Sequence, residues 1–93
     1  MHDSGWAAHL NEAASEGEIL KLCNQFLSLV GGDLDEIPEG CRPRAGTGLD
    51  ASRVQYLALK LLKELDNDPE RANLTLHRVT SFFTKAAQRL AEV

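Results

Sequence analysis

The stretch "DASRVQYLALKLLKEL", residues 50–65, decides the fold class. Val54, Leu57, Ala58, Leu61, Leu62 and Leu65 recur at intervals of 3, 1, 3, 1 and 3. At 100° per residue these six fall on one stripe of a helix, whereas a strand would repeat every second residue. The spacing predicts a helix from Asp50 to near "DNDP", because the residue before proline avoids the helical region. It is the most regular segment in the chain.

Downstream, Leu76, Val79, Phe83, Ala86, Leu90 and Val93 recur at 3 and 4, which predicts a last helix. Asp68 can cap it with Pro69 at its first position. Asn73 or Thr75 offers a later start. Upstream, Ser15-Glu16-Gly17-Glu18 fits a capping box. Ile19, Cys23, Phe26 and Val30 then form a stripe, flanked by Leu20 and Leu27 on one side and Leu22 and Leu29 on the other. An apolar arc this wide needs partners on more than one side, so this segment reads as the central helix, ended by Gly31-Gly32. Residues 4–14 place Trp6, Ala7, Leu10, Ala13 and Ala14 on one side of a short amphipathic helix.

Residues 31–50 join the second and third segments. A structureless linker of that length is unusual in a small domain. "DLDEIP" offers Asp33 as a cap with Leu34 and Ile37 to bury, so a short turn of helix is expected before an irregular "EGCRPRAGTG". Strand and hairpin signals are nearly absent. The expected fold is all-α: a single helical domain over 1–93, a compact three- to four-helix bundle with a long irregular crossover at about 31–50.

Ninety-three residues bury a modest core. Apolar residues at 43% and charged residues at 26% suit an ordinary globular domain. No apolar run approaches the roughly 20 residues that span a bilayer. "MHDSGWAAHLNEAAS" lacks the basic start and apolar centre of a signal peptide, so the expected compartment is the cytoplasm. The net charge of −4 disfavours nucleic acid and acidic membranes. Its distribution is uneven. Residues 1–40 hold eight Asp/Glu and one Lys, while 41–93 hold nine Lys/Arg and six Asp/Glu. Either the basic half offers a binding surface or the two halves attract each other, and the second is favoured.

His2, His9, His77, Cys23 and Cys41 form no compact ligand pair, so no metal or cofactor is expected. Without an export signal the two cysteines read as free thiols, with Cys23 a small buried hydrophobe. Cys41, near Arg42 and Arg44, could have an activated thiol, but no base lies close in sequence. "RAGTGLD" lacks the spacing and the lysine of a phosphate loop. The long loop before "GLDASRV" is similar in layout to acyl carrier proteins. Their Asp-Ser-Leu attachment motif is not matched: Ala51 separates Asp50 from Ser52, and Arg53 stands where Leu would be. No enzymatic constellation emerges.

The helix surfaces are more informative. Arg53, Tyr56, Lys60 and Lys63 lie within roughly 80° of each other, opposite the leucine stripe. On the last helix Arg71, Arg78, Lys85 and Arg89 fall within about 40°, with Phe82 at the flank and Leu74 on the outer side. Phe82 must lie under a neighbouring helix or be exposed, and exposed with Leu74 it would make an apolar patch. Mixed basic and apolar faces suit a protein interface. The expectation is a non-enzymatic protein that binds another protein as adaptor, inhibitor or regulatory subunit, or binds a second copy of itself. The candidate contact residues are Arg42, Arg44, Tyr56, Leu74, Arg78, Phe82 and Lys85. A nucleic-acid-binding module on the basic faces is the alternative, and a carrier or thiol role through Ser52 or Cys41 comes third.

Overall fold

The computed structural model describes residues 3–37, 42, 49–67, 70 and 73–93. Among these lie α1 (Asp3–Glu12), α2 (Glu16–Val30), a 3-10 segment (Gly31–Glu36), α3 (Ala51–Asn67) and α4 (Leu74–Glu92). The described residues contain no strand. The fold is an all-α helical bundle. Pro38, Glu39, Gly40, Cys41, the stretch 43–48 and the Asp68-Pro69 cap lie outside the described residues.

Side-chain caps set three helix starts. Ser15 is extended, with φ −146° and ψ 161°, and its hydroxyl accepts the Glu18 N–H at 3.3 Å. The Glu18 carboxylate accepts the Ala14 N–H at 2.8 Å, one residue upstream of the usual reciprocal bond. Such a cap contributes about 1 kcal/mol. Asp50 opens α3: its carboxylate accepts the Arg53 N–H at 2.8 Å and its carbonyl the Val54 N–H at 2.9 Å. Asn73 opens α4 by accepting the Leu76 N–H at 2.8 Å. Of the starts considered for the last helix, Asn73 is therefore the one used.

As expected, α2 ends at the glycine pair, though without a left-handed cap. Gly31 has φ −52° and ψ −39°, an ordinary right-handed conformation, so the chain tightens into the 3-10 segment instead of reversing. That segment delivers Ile37 into the core, where it is fully buried. The crossover is thus shorter than 31–50: its first third is helical. Two latches hold the segment to α4. Asn73 Nδ2 donates to the Glu36 carbonyl at 3.1 Å, and Thr75 Oγ1 donates to the Glu36 carboxylate at 2.6 Å. One residue, Asn73, caps α4 and ties the preceding segment to it.

The central helix is α4, not α2. It touches α1, α2, the 3-10 segment and α3, whereas α3 packs chiefly on α4. The physical reason is the width of the buried arc. Leu76, Val79, Phe83, Ala86 and Leu90 are buried as the stripe requires, and Thr75, Thr80 and Phe82 widen it. On α2, Ile19, Cys23, Phe26, Leu27 and Val30 are buried, but Leu29 points to solvent.

An aromatic cluster joins α1, α2 and α4. Phe26 and Phe82 stack with centroids 4.1 Å apart and planes 3° from parallel. Trp6 meets Phe26 edge-on at 5.4 Å and Phe82 at 5.5 Å. Edge-to-face contacts of this kind add about 0.5–1.5 kcal/mol beyond area burial. On α3, Val54, Leu57, Ala58 and Leu61 are buried as expected, but Leu62 is exposed and Leu65 only half-buried. The stripe on α3 is narrower than its leucine count implies, because α4 is its main neighbour.

Candidate functional site

Two mixed apolar and basic surfaces emerge. The first is the outer face of α3. Tyr56 is 48% exposed, with the Arg53 guanidinium 5.4 Å and the Lys60 ammonium 5.8 Å from its ring centroid. Cations at that range are attracted to the ring face. Leu59, 69% exposed, continues the surface about 60° from Tyr56, whereas Leu62, 40% exposed, lies about 120° away at the edge of the buried stripe. Lys63 lies between Tyr56 and Leu59 on the helical wheel. Glu64 and Asp66 flank the face, each about 80° from Tyr56.

The second is a cleft between α1 and α4. Its floor is the buried cluster of Trp6, Leu10, Phe26 and Phe82, and its rim is Ala7, Arg78, Ser81 and Lys85. The cavity measures about 70 Å³, far below the roughly 300–1,000 Å³ of a substrate pocket. A wider, shallow groove of about 350 Å³ runs between α1 and α2, past His9, Glu12, Glu18 and Lys21. One of its carboxylates, Glu18, is already engaged by the Ala14 N–H.

The seven candidate contact residues separate. Arg78, Phe82 and Lys85 come together at the cleft. Phe82 is only 5% exposed, so the flank position resolves inward: it is core and cleft floor, not a surface anchor. The patch it would have formed with Leu74 does not exist. Leu74 stands alone of the pair on the outer side, in the first turn of α4. Tyr56 is on the other surface. Arg42 turns inward: Nε and Nη2 donate to the Ile37 carbonyl at 3.3 and 3.0 Å, and Nη2 reaches the Asp35 carbonyl at 3.5 Å. Its contact with the exposed Asp35 carboxylate is long, at 3.9 Å. Arg42 thus secures the end of the 3-10 segment. Arg44 and Arg71 lie outside the described residues.

Arg89 also leaves the basic row. Its guanidinium donates to the Leu10 carbonyl at 3.0 Å and to the Ala13 carbonyl at 2.6 Å, and it pairs with Glu92. Carbonyls at a helix C-terminus have no intrahelical donor, so one arginine of α4 caps α1. Leu59 was the residue missed on the α3 face. Its signal was visible: a leucine off the buried stripe, one turn from Tyr56.

Among the described residues no group of three or more His, Cys, Asp or Glu side chains converges. Burial pushes the Cys23 thiol up to about 12, so it carries almost no thiolate at neutral pH. Cys41 lies outside the described residues. Ser52 is exposed in the first turn of α3, and the nearby Asp50 carboxylate is engaged as the cap. None of the helices of the described residues is long and apolar enough to cross a membrane. Comparisons with family models, curated proteins and solved structures find no match.

Proposed function

We propose that the chain is a non-catalytic protein-binding module that docks a partner on the outer face of α3. The observation that carries the reading is the exposure of Tyr56 and Leu59, one turn apart on the outer face of one helix. Exposed apolar residues are ordinary when scattered, and informative when they line up. Tyr and Arg are the residues that most often anchor interfaces. Arg53, Lys60 and Lys63 stand among them, so the fitting partner is an acidic amphipathic helix with its apolar stripe on Leu59 and its carboxylates toward the cations. A second copy of the chain fits less well, since a two-fold contact would set this basic face against itself.

The test compares Leu59→Ser, Tyr56→Ala and Lys60→Glu with the wild-type chain, each checked for an unchanged helical circular dichroism spectrum. All three should lose at least tenfold in affinity for the partner retained by the wild type. A partner held equally by all three contradicts the reading. Self-association abolished by Leu59→Ser would make the occupant a second copy. Retention of nucleic acid that weakens steeply with salt would replace the protein partner.

A further inference from the structure

We infer that the helix received on the outer face of α3 lies antiparallel to α3 and carries its carboxylates on one flank only, the flank that meets Arg53 and Lys60. The inference rests on the protein-binding reading and adds to it the pattern and the direction of the partner. α3 has an exposed seam. Tyr56, Leu59, Lys63 and Asp66 follow Ser52 at intervals of 4, 3, 4 and 3, and all five are exposed. That is the a/d spacing of a two-helix contact, with Tyr56 and Lys63 at a and Ser52, Leu59 and Asp66 at d. The two flanks of the seam differ. Arg53 and Lys60 both fall at e, whereas Gln55 and Leu62 fall at g. Among the described residues Arg53, Lys60 and Lys63 hold no ion pair, not even Lys60 with Glu64 one turn on. Arg53 and Lys60 rest instead over the Tyr56 ring. One flank therefore offers two cations without a carboxylate, and the other offers no charge.

In an antiparallel pair e faces e, and in a parallel pair e faces g. The cations thus call for acidic e positions in an antiparallel partner, or acidic g positions in a parallel one. The ends of α3 decide between the two. Its first turn carries Arg53 and no acidic residue, and its last turn carries Asp66 and no basic residue. Both charges oppose the helix's own macrodipole, since anions suit an N-terminus and cations a C-terminus. Against an antiparallel neighbour the same charges are complementary: Arg53 meets its terminal carbonyls and Asp66 its first N–H groups. Asp66 stands about 120° from Val54 and about 140° from Leu61 on the helical wheel, so it turns from α4 toward the seam. A second copy of α3 paired in this way would set Arg53 and Lys60 against their counterparts, so the occupant is a different, acidic helix. The seam from Ser52 to Asp66 runs about 20 Å, which seats about two heptads.

The experiment is a ¹⁵N–¹H correlation titration of the whole chain with two synthetic helical peptides of about two and a half heptads. Both carry leucine at a and d and the same net charge. One has glutamate at e and alanine at g, and the other has the reverse. The e-acid peptide should shift the amides of Tyr56, Leu59 and Lys63 saturably and bind at least tenfold more tightly than the g-acid peptide. Arg53→Glu combined with Lys60→Glu should weaken it at least tenfold and admit the same peptide with lysine at e, with the helical circular dichroism spectrum unchanged. A nitroxide on the peptide N-terminus should broaden the amides of Asp66 and Asn67 and leave those of Ser52 and Arg53 sharp. A preference for the g-acid peptide, with broadening at Ser52, makes the partner parallel; it overturns this inference and leaves the α3 reading standing. Equal binding of the two peptides, or shifts on other helices with α3 silent, also overturns it. If neither peptide binds, this inference falls. The α3 reading falls with it only where the native partner is also retained by Leu59→Ser and Tyr56→Ala.

Discussion

The two flanks of α4 are built by different means. Toward α1 and α2, three aromatic rings interlock, and Arg89 ties the end of α1 to α4 through two backbone carbonyls. Toward α3, the buried side chains are aliphatic, and the far side of the helix is left apolar and exposed. On the flank of α4 turned away from Phe82, the hydroxyls of Thr80 and Thr84 are buried with no hydrogen-bond partner among the described residues. The α3 flank is the more extensively packed of the two, through aliphatic side chains, and the proposed binding residues stand on the opposite side of α3. Binding surfaces are commonly carried by elements that rest on a rigid scaffold in this way.

The comparison can be broken at the aromatic flank first. Phe26→Ala should cost about 3–5 kcal/mol, because it removes the ring that both Trp6 and Phe82 contact and leaves a cavity. The urea midpoint reports it. A loss below about 1 kcal/mol would mean that the rings do not hold this flank. Arg89→Ala comes next, at about 1–3 kcal/mol, since it removes the donor of the Ala13 carbonyl and leaves the Leu10 carbonyl only the Ala13 N–H at 3.3 Å. Hydrogen exchange should quicken in α1 well before α3. Uniform quickening would show that the latch is not local.

Cys23 sharpens the same contrast through pH. Its folded pKa, about 12, is raised above the ordinary value of 9.0 by desolvation. A raised thiol pKa means that the stability it permits is intact below pH 9 and is lost as pH rises toward 12, where only the unfolded chain ionises. Relative to Cys23→Val, the wild-type chain should therefore weaken above pH 9, by at most about 1.4 kcal/mol per pH unit. A constant difference from pH 7 to 11 would place the thiol in water. The smallest effect is expected at Thr80→Val. Replacing an unsatisfied buried hydroxyl with an isosteric methyl should leave stability unchanged or raise it by about 1 kcal/mol. A clear loss would reveal a hidden partner for that hydroxyl.

Much of the fold was legible in the chain, because its helices carry strong periodicity and explicit caps. Ser15 and Asn73 act as their residue types suggest, and the stripe of Val54, Leu57 and Leu61 is buried. What was not legible depends on neighbours. Gly31-Gly32 permits a left-handed stop but does not compel one, and Gly31 stays right-handed as the chain continues into the 3-10 segment. Leu62 and Leu29 look like core residues on a helical wheel, yet both are exposed, because among the described residues no helix covers them. The breadth of α2 suggested a central position that α4 takes instead, through Phe82 and two buried threonines that no simple stripe includes. At the candidate sites, side-chain type was readable and direction was not. Arg42 and Arg89 have the composition of binding residues, yet each is turned onto backbone carbonyls. Arg78 and Lys85 were recognised as a row, but the cleft beneath them needs Trp6 from the other end of the chain.

The central proposal is that the outer face of α3 receives a partner. Site-specific photo-crosslinking in the native host tests it directly, with benzoylphenylalanine placed at position 59 or at the exposed Ser28 on α2. The account predicts one dominant crosslinked protein from position 59, rich in acidic residues at the crosslinked site, and none from position 28. Equal products from both positions, or products from position 28 alone, would contradict it.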